Sequence, residues 1–216
     1  LFLARVEEEA PKLGGTYQQL WLNWLEGEQD NLRAALTWAL EKGANGVPDS
    51  KHIESGLRIA SAVVLLWQIR GNAQEGLGWL ERLLAQADDS ISLDVNVNAL
   101  VSASFLALFL GKGQASLEYG REAVKIAEAA GDEGKPILGF ALAGLASGAK
   151  ATGDYLGAFR TGERAVQLFR KSGPQLYLGM ALISQGEIAL QLGNFTIARD
   201  RLSESLTLAQ NNGDNY

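Results

Sequence analysis

Two stretches decide the fold: Gly153-Asp154-Tyr155-Leu156-Gly157-Ala158 and Gly193-Asn194-Phe195-Thr196-Ile197-Ala198. Each places a glycine after a helical run, then Asp or Asn, then an aromatic, with an alanine five residues beyond the glycine. Glycine at a helix exit enters the left-handed conformation without a Cβ penalty, and an Asp or Asn side chain accepts from the first N–H groups of the next helix. Each stretch therefore reads as the turn of a helical hairpin, with its aromatic packing back on that hairpin. Gly71-Asn72 and Gly111-Lys112 are weaker copies, and Gly71, Gly111, Gly153 and Gly193 lie 40, 42 and 40 residues apart. A fixed period of that size is the mark of stacked repeats.

Other registers keep the same period. Five residues after each glycine stand Gly76, Ser116, Ala158 and Ala198, all small; thirteen after stand Leu84, Val124, Val166 and Leu206, all aliphatic. Nine before stand Ala62, Ser102, Gly144 and Ser184, again small. Small residues let antiparallel helices approach closely, and aliphatic ones fill the seam between them. Twenty residues on, Ile91 is followed by Gly131, Gly173 and Gly213, which predicts a second glycine stop in most units.

The pattern predicts helices near 52–70, 74–88, 94–110, 115–130, 136–152, 156–171, 175–192 and 196–211, paired as hairpins over 51–91, 92–132, 133–173 and 174–213. Three more are expected near 2–12, 16–26 and 29–42, about 11 in all, with Gly43 to Ser50 a loop. All five tryptophans precede residue 80 and read as packing between these opening helices and the first hairpin. The fold expected is all-α, a solenoid of antiparallel helix pairs, with residues 1–50 a helical segment joining the repeats to an upstream domain. The chain begins at Leu1, and its only methionine is Met180, so it reads as an excised fragment.

Composition removes several function classes. There is no cysteine, hence no disulfide, thiolate metal site or thiol nucleophile, and a reducing cytoplasm fits best. A single histidine, His52, leaves no His-based metal cluster or catalytic triad beyond that residue. With 19 basic against 25 acidic side chains and no basic stripe, direct nucleic-acid contact is not expected. Apolar runs such as 60–67 fall short of the ~20 residues a membrane span needs. No G-x-x-x-x-G-K-[ST] occurs, so no P-loop cradles phosphate, and no cofactor is expected. His52 suits a pH switch in principle, though exposure at a helix start is the plainer account. Glu7-Glu8-Glu9 reads as a solvated face, and Asp88-Asp89-Ser90 as a helix exit or turn.

The glycine, aromatic and alanine spacing of the two opening stretches resembles tetratricopeptide repeats (TPR), whose period is 34 residues rather than about 40. That resemblance implies a right-handed superhelix with longer helices than usual. Ala123 and Ala165 keep the family's second alanine, whereas Leu83 and Ser205 depart from it. A second resemblance lies upstream, in residues 28–41 (EQDNLRAALTWALE), Leu65-Leu66-Trp67 and Glu75-Gly76-Leu77-Gly78-Trp79-Leu80-Glu81. These look like the start of the repeat region in bacterial STAND-type signalling ATPases, the LuxR-like and MalT-like regulators. There the array is a sensor or arm that binds an inducer or partner, and the nucleotide-binding and output domains lie elsewhere.

In TPR arrays the first helix of each hairpin lines the concave face. Carried over, its inward positions include Arg58, Leu65 and Gln68; Asn98, Phe105 and Phe109; Phe140, Ser147 and Lys150; and Met180, Ile183, Glu187 and Gln191. The expectation is that Phe105, Phe109, Phe140 and Met180 form an apolar floor for a peptide, helix or small-molecule inducer. Arg58, Gln68, Asn98, Lys150 and Glu187 would orient it. The blander alternative is that these aromatics pack against the next repeat. The function implied is non-catalytic sensing within a larger ATPase or transcription regulator. A general TPR scaffold is the alternative; an all-helical enzyme lacks a converging nucleophile and base.

Overall fold

The computed structural model describes residues 3–4, 18–41, 46 and 49–211. Two short helices open the described chain, α1 (Gln18–Gly27) and α2 (Gln29–Ala39). They are followed by α3 (Ser50–Ala62), α4 (Val64–Ile69), α5 (Ala73–Leu84), α6 (Leu93–Phe109), α7 (Gly113–Ala129), α8 (Lys135–Ala151), α9 (Tyr155–Ser172), α10 (Gln175–Gln191) and α11 (Phe195–Asn211). No strand occurs among the described residues. The helix expected near 2–12 lies outside them apart from residues 3–4, as do Glu7-Glu8-Glu9 and Gly213. The helix expected over 52–70 is interrupted at Val63, where φ is −103° and ψ 13°, beside a second β-branched residue that weakens helix preference locally.

The four turns follow the expected physics. Gly71, Gly111, Gly153 and Gly193 all have φ between 72° and 86°. The N–H of the residue after each reaches back five residues: Asn72 to Trp67 O, Lys112 to Ala107 O, Asp154 to Ala149 O and Asn194 to Ala189 O, at 2.8–3.0 Å. This is a Schellman closure, which satisfies helix-end carbonyls. Asp154 then accepts from the Gly157 N–H at 2.9 Å and Asn194 from the Ile197 N–H at 3.2 Å, whereas Asn72 makes no side-chain cap. Gly131 also has positive φ, but Gly173 does not: it is extended at φ −91°, ψ 160°. Pro174 explains the difference, because a residue before proline is pushed toward the extended region.

Ser116, Ala158 and Ala198 are buried in the hairpin seams as their register requires. The last repeat departs from it: Leu206 is 59% exposed and Phe195 71%, since no described helix follows α11 to cover them. Neighbouring hairpins meet where the second helix of one touches the first helix of the next. Between α7 and α8 the backbones touch: a Cβ added at Gly148 would sit 2.5 Å from the Leu117 backbone, and one at Gly120 would sit 2.6 Å from Leu145 Cα. Within the second hairpin, Ser104 Oγ of α6 donates to Ser116 O of α7 at 2.9 Å. On the second helices, polar links recur one repeat apart: Tyr119 Oη to Glu81, Arg164 to Glu128 and Arg201 to Glu163, at 2.8–2.9 Å. The two exposed links, Tyr119 to Glu81 and Arg164 to Glu128, contribute at most about 1 kcal/mol each, so packing carries the array.

The opening helices are tied to the first hairpin by Arg33 to Glu75 at 2.7 Å and Arg70 to Glu26 at 2.8 Å. Trp21, Trp67 and Trp79 are buried there and Trp24 is partly so. Trp38 is the exception among the tryptophans: it is 45% exposed and meets half-buried His52 in a tilted ring contact with centres 3.9 Å apart. Asp88 forms the expected turn, accepting from Ser90 Oγ at 2.6 Å, from Ser50 Oγ at 2.7 Å and from Ser90 N at 2.9 Å, and these bonds hold its carboxyl below the usual range. No described helix is long and apolar enough to cross a membrane.

Candidate ligand-binding cleft

Helix α8 presents Phe140, Ala143, Ser147 and Lys150, and α10 presents Tyr177, Met180, Ala181, Ser184 and Glu187. The i, i+3, i+7, i+10 spacing puts each set on one helix face. The two faces flank a cleft of about 870 Å³ including its open mouth, with Phe105 of α6 at one side. Helix α9 closes the bottom with Gly162, Ala165 and Phe169. Phe169 reaches it because Gly139 leaves room, since a Cβ there would lie 3.0 Å from the Phe169 ring.

Three rings form one wall. Phe140 meets Phe169 edge-to-face at 5.3 Å and Tyr177 edge-to-face at 4.3 Å, while Phe169 and Tyr177 stack at 6.2 Å. Such pairs add about 0.5–1.5 kcal/mol each beyond burial, so the wall is preorganised. Burial pushes the Tyr177 phenol above its usual pKa. At the rim Lys150 Nζ pairs with Glu187 at 2.7 Å. Ser147 Oγ is spent on Ala143 O, one turn back, at 3.0 Å.

The floor holds an anomaly. Gln185 is 1% exposed, and neither its Nε2 nor its Oε1 meets a hydrogen-bond partner. Its amide lies on Gly162, where an added Cβ would fall 1.7 Å from Nε2. Leaving a buried donor and acceptor unpaired costs roughly 1–3 kcal/mol apiece.

Of the residues named from sequence, the structure brings Phe105, Phe140, Lys150, Met180 and Glu187 to this cleft, together with Ser147 and Ile183. The others lie elsewhere. Phe109 is 56% exposed near the end of α6, and Asn98 is half-buried on the same helix. Gln191 is exposed at the end of α10. The break at Val63 sets Arg58 on α3 and Leu65 and Gln68 on α4. Sequence reasoning missed Phe169, Tyr177 and Gln185. Phe169 belongs to a second helix and Tyr177 lies one turn before the first counted position. Gln185 carried a readable signal, since its register holds Val63, Ala103 and Leu145 in the other hairpins.

No protein-family model matches the chain. Its sequence is 28% identical over 133 residues to a putative HTH-type transcriptional regulator of Mycobacterium tuberculosis, a match taking in 58% of this chain and 14% of the regulator. The chain thus spans a small part of that curated relative's length. In structure it is similar to TPR-like repeats of a putative kinesin light chain from Podosopora anserina, with TM-score 0.63, 16% identity, and 97% and 96% of the two chains covered. It is also similar to a STAND protein with a tetratricopeptide repeat sensor from Pyrococcus horikoshii, with TM-score 0.58, 15% identity, and 76% of this chain and 25% of that one covered. The fold is a TPR-like α-solenoid.

Proposed function

We propose that this TPR-like array is a non-catalytic binding region, the sensor or regulatory arm of a larger cytoplasmic signal-transduction ATPase or transcription regulator. The observation that carries the reading is the cleft, where a preformed apolar surface from three repeats meets a few polar groups, the usual make-up of a recognition site. The distant regulator and the STAND sensor support the setting. In this reading residues 1–50 join the array to an upstream domain that binds nucleotide. An inducer held between α8 and α10 fixes the angle between hairpins three and four, and it shifts the parent protein only through unequal affinity for its two states. The likeness to kinesin light chain repeats, which spans nearly the whole array, favours a second reading as a general assembly scaffold.

Two measurements test the proposal. The purified chain should neither bind nor hydrolyse labelled ATP, and saturable binding would contradict it. In a full-length protein carrying this chain, Met180→Asp should abolish inducer-dependent output, while Phe109→Asp, outside the cleft, should leave that output at the wild-type level. Equal effects of the two substitutions would count against the cleft.

A further inference from the structure

We infer that the cleft between α8 and α10 is a site for an uncharged, mostly apolar small molecule carrying an amide-type donor and acceptor side by side, recognised by the Gln185 side chain. The inference rests on the reading of the array as a binding region and specifies its ligand. A side-chain amide offers two N–H donors and a carbonyl acceptor. At Gln185 both ends are unpartnered and buried against a cleft whose walls are Phe105, Phe140, Phe169, Tyr177 and Met180. A carboxamide or lactam edge satisfies both ends with two parallel hydrogen bonds while its ring or chain fills the aromatic wall.

The other candidates fit less well. A carboxylate has no donor for Oε1, and burying its charge is expensive without a paired cation. The cation lining the cleft, Lys150, is already engaged by Glu187. A purely apolar ligand leaves the Gln185 amide as unsatisfied as it is now. The repeat comparison argues that the amide is there for recognition rather than packing. The same position is Val63, Ala103 and Leu145 in the other hairpins, all apolar. Gly162 supplies the space in which the amide lies, so the two residues form one feature.

The test uses the 216-residue chain and three probes of similar shape: naphthamide, naphthoate and methylnaphthalene. Binding is followed by NMR titration, with the Gln185 side-chain amide and the Phe140, Phe169 and Tyr177 rings as reporters. Naphthamide should bind roughly tenfold more tightly than either control, the scale expected when a buried donor and acceptor gain partners. Gln185→Leu should erase that preference without loss of helicity. Gln185→Met, unbranched and similar in length, repeats the comparison should the leucine variant fold poorly. Equal binding of the three probes, no binding of naphthamide, or a preference that survives in the variants would overturn the inference. Failure here combined with loss of output in Met180→Asp would remove the ligand class and leave the binding array standing. Failure in both would remove both.

Discussion

The crossing of Gly120 with Leu145 and the crossing of Gly162 with Gln185 occupy the same place in successive repeats, 42 and 40 residues apart in sequence. In each, a glycine on a second helix faces the first helix of the next hairpin. At the first crossing the glycine lies against the α8 backbone, and Gly148 closes on Leu117 in the same way. At the second the glycine lies against a side-chain amide that has no partner, and a cleft opens beside it. One repeat plan therefore yields a sealed joint and an open one. The difference rests on a few residues, chiefly leucine or glutamine at one position and the aromatic wall beside it.

The largest effect that sharpens this contrast should come from Gly148→Ala. The added methyl meets backbone atoms that cannot rotate away, so the cost should be about 3 kcal/mol, the upper end of the overpacking range, read by urea unfolding. A loss below ~0.5 kcal/mol would mean that the α7–α8 joint is not sealed. Gly162→Ala should cost less, about 1 kcal/mol, because the methyl meets only the far end of the Gln185 side chain. The same variant in a Gln185→Ala background should cost almost nothing, and equal costs in both backgrounds would break the comparison.

The smallest effect is in alkaline solution. On α7, facing α5, the Tyr119 phenol is pushed up to about 12, first by burial and then by its hydrogen bond to Glu81, with Glu118 adding to the shift. The unfolded chain ionises first, near pH ~10, so it binds fewer protons than the folded one above that point. This contribution is present below pH ~10 and lost as pH climbs toward the folded value. Tyr119→Phe should flatten that stretch of the melting-temperature profile; an unchanged slope would contradict the assignment. Tyr177, raised by burial in the cleft, should shift further upward when naphthamide is added, while Tyr119 stays put. Movement of both would show that the probe is not confined to the open joint.

The hairpin plan was legible because its signals are local. A turn glycine, a capping Asp154 or Asn194 and small residues at fixed offsets act within a few residues of each other. The exceptions come from neighbours that the period does not encode. Pro174 overrides Gly173, the valine pair at 63–64 splits a helix, and the end of the described array leaves Leu206 and Phe195 uncovered. The cleft was half legible. Counting inward positions reached Phe140, Lys150, Met180 and Glu187, since these lie on first helices. It missed Phe169, which enters from a second helix past Gly139, and carried along Arg58 on α3 and Asn98 on α6, which lie outside the cleft. Gln185 was visible as a polar residue in an apolar column, but only packing reveals that nothing there satisfies it.

We propose the open joint as the place where this array recognises its ligand. A crystal structure of the chain with naphthamide tests it most directly. The probe should lie between Phe140, Phe169 and Met180, with its amide paired to that of Gln185. A cleft holding only water on the Gln185 amide, with the probe elsewhere or absent, would contradict it.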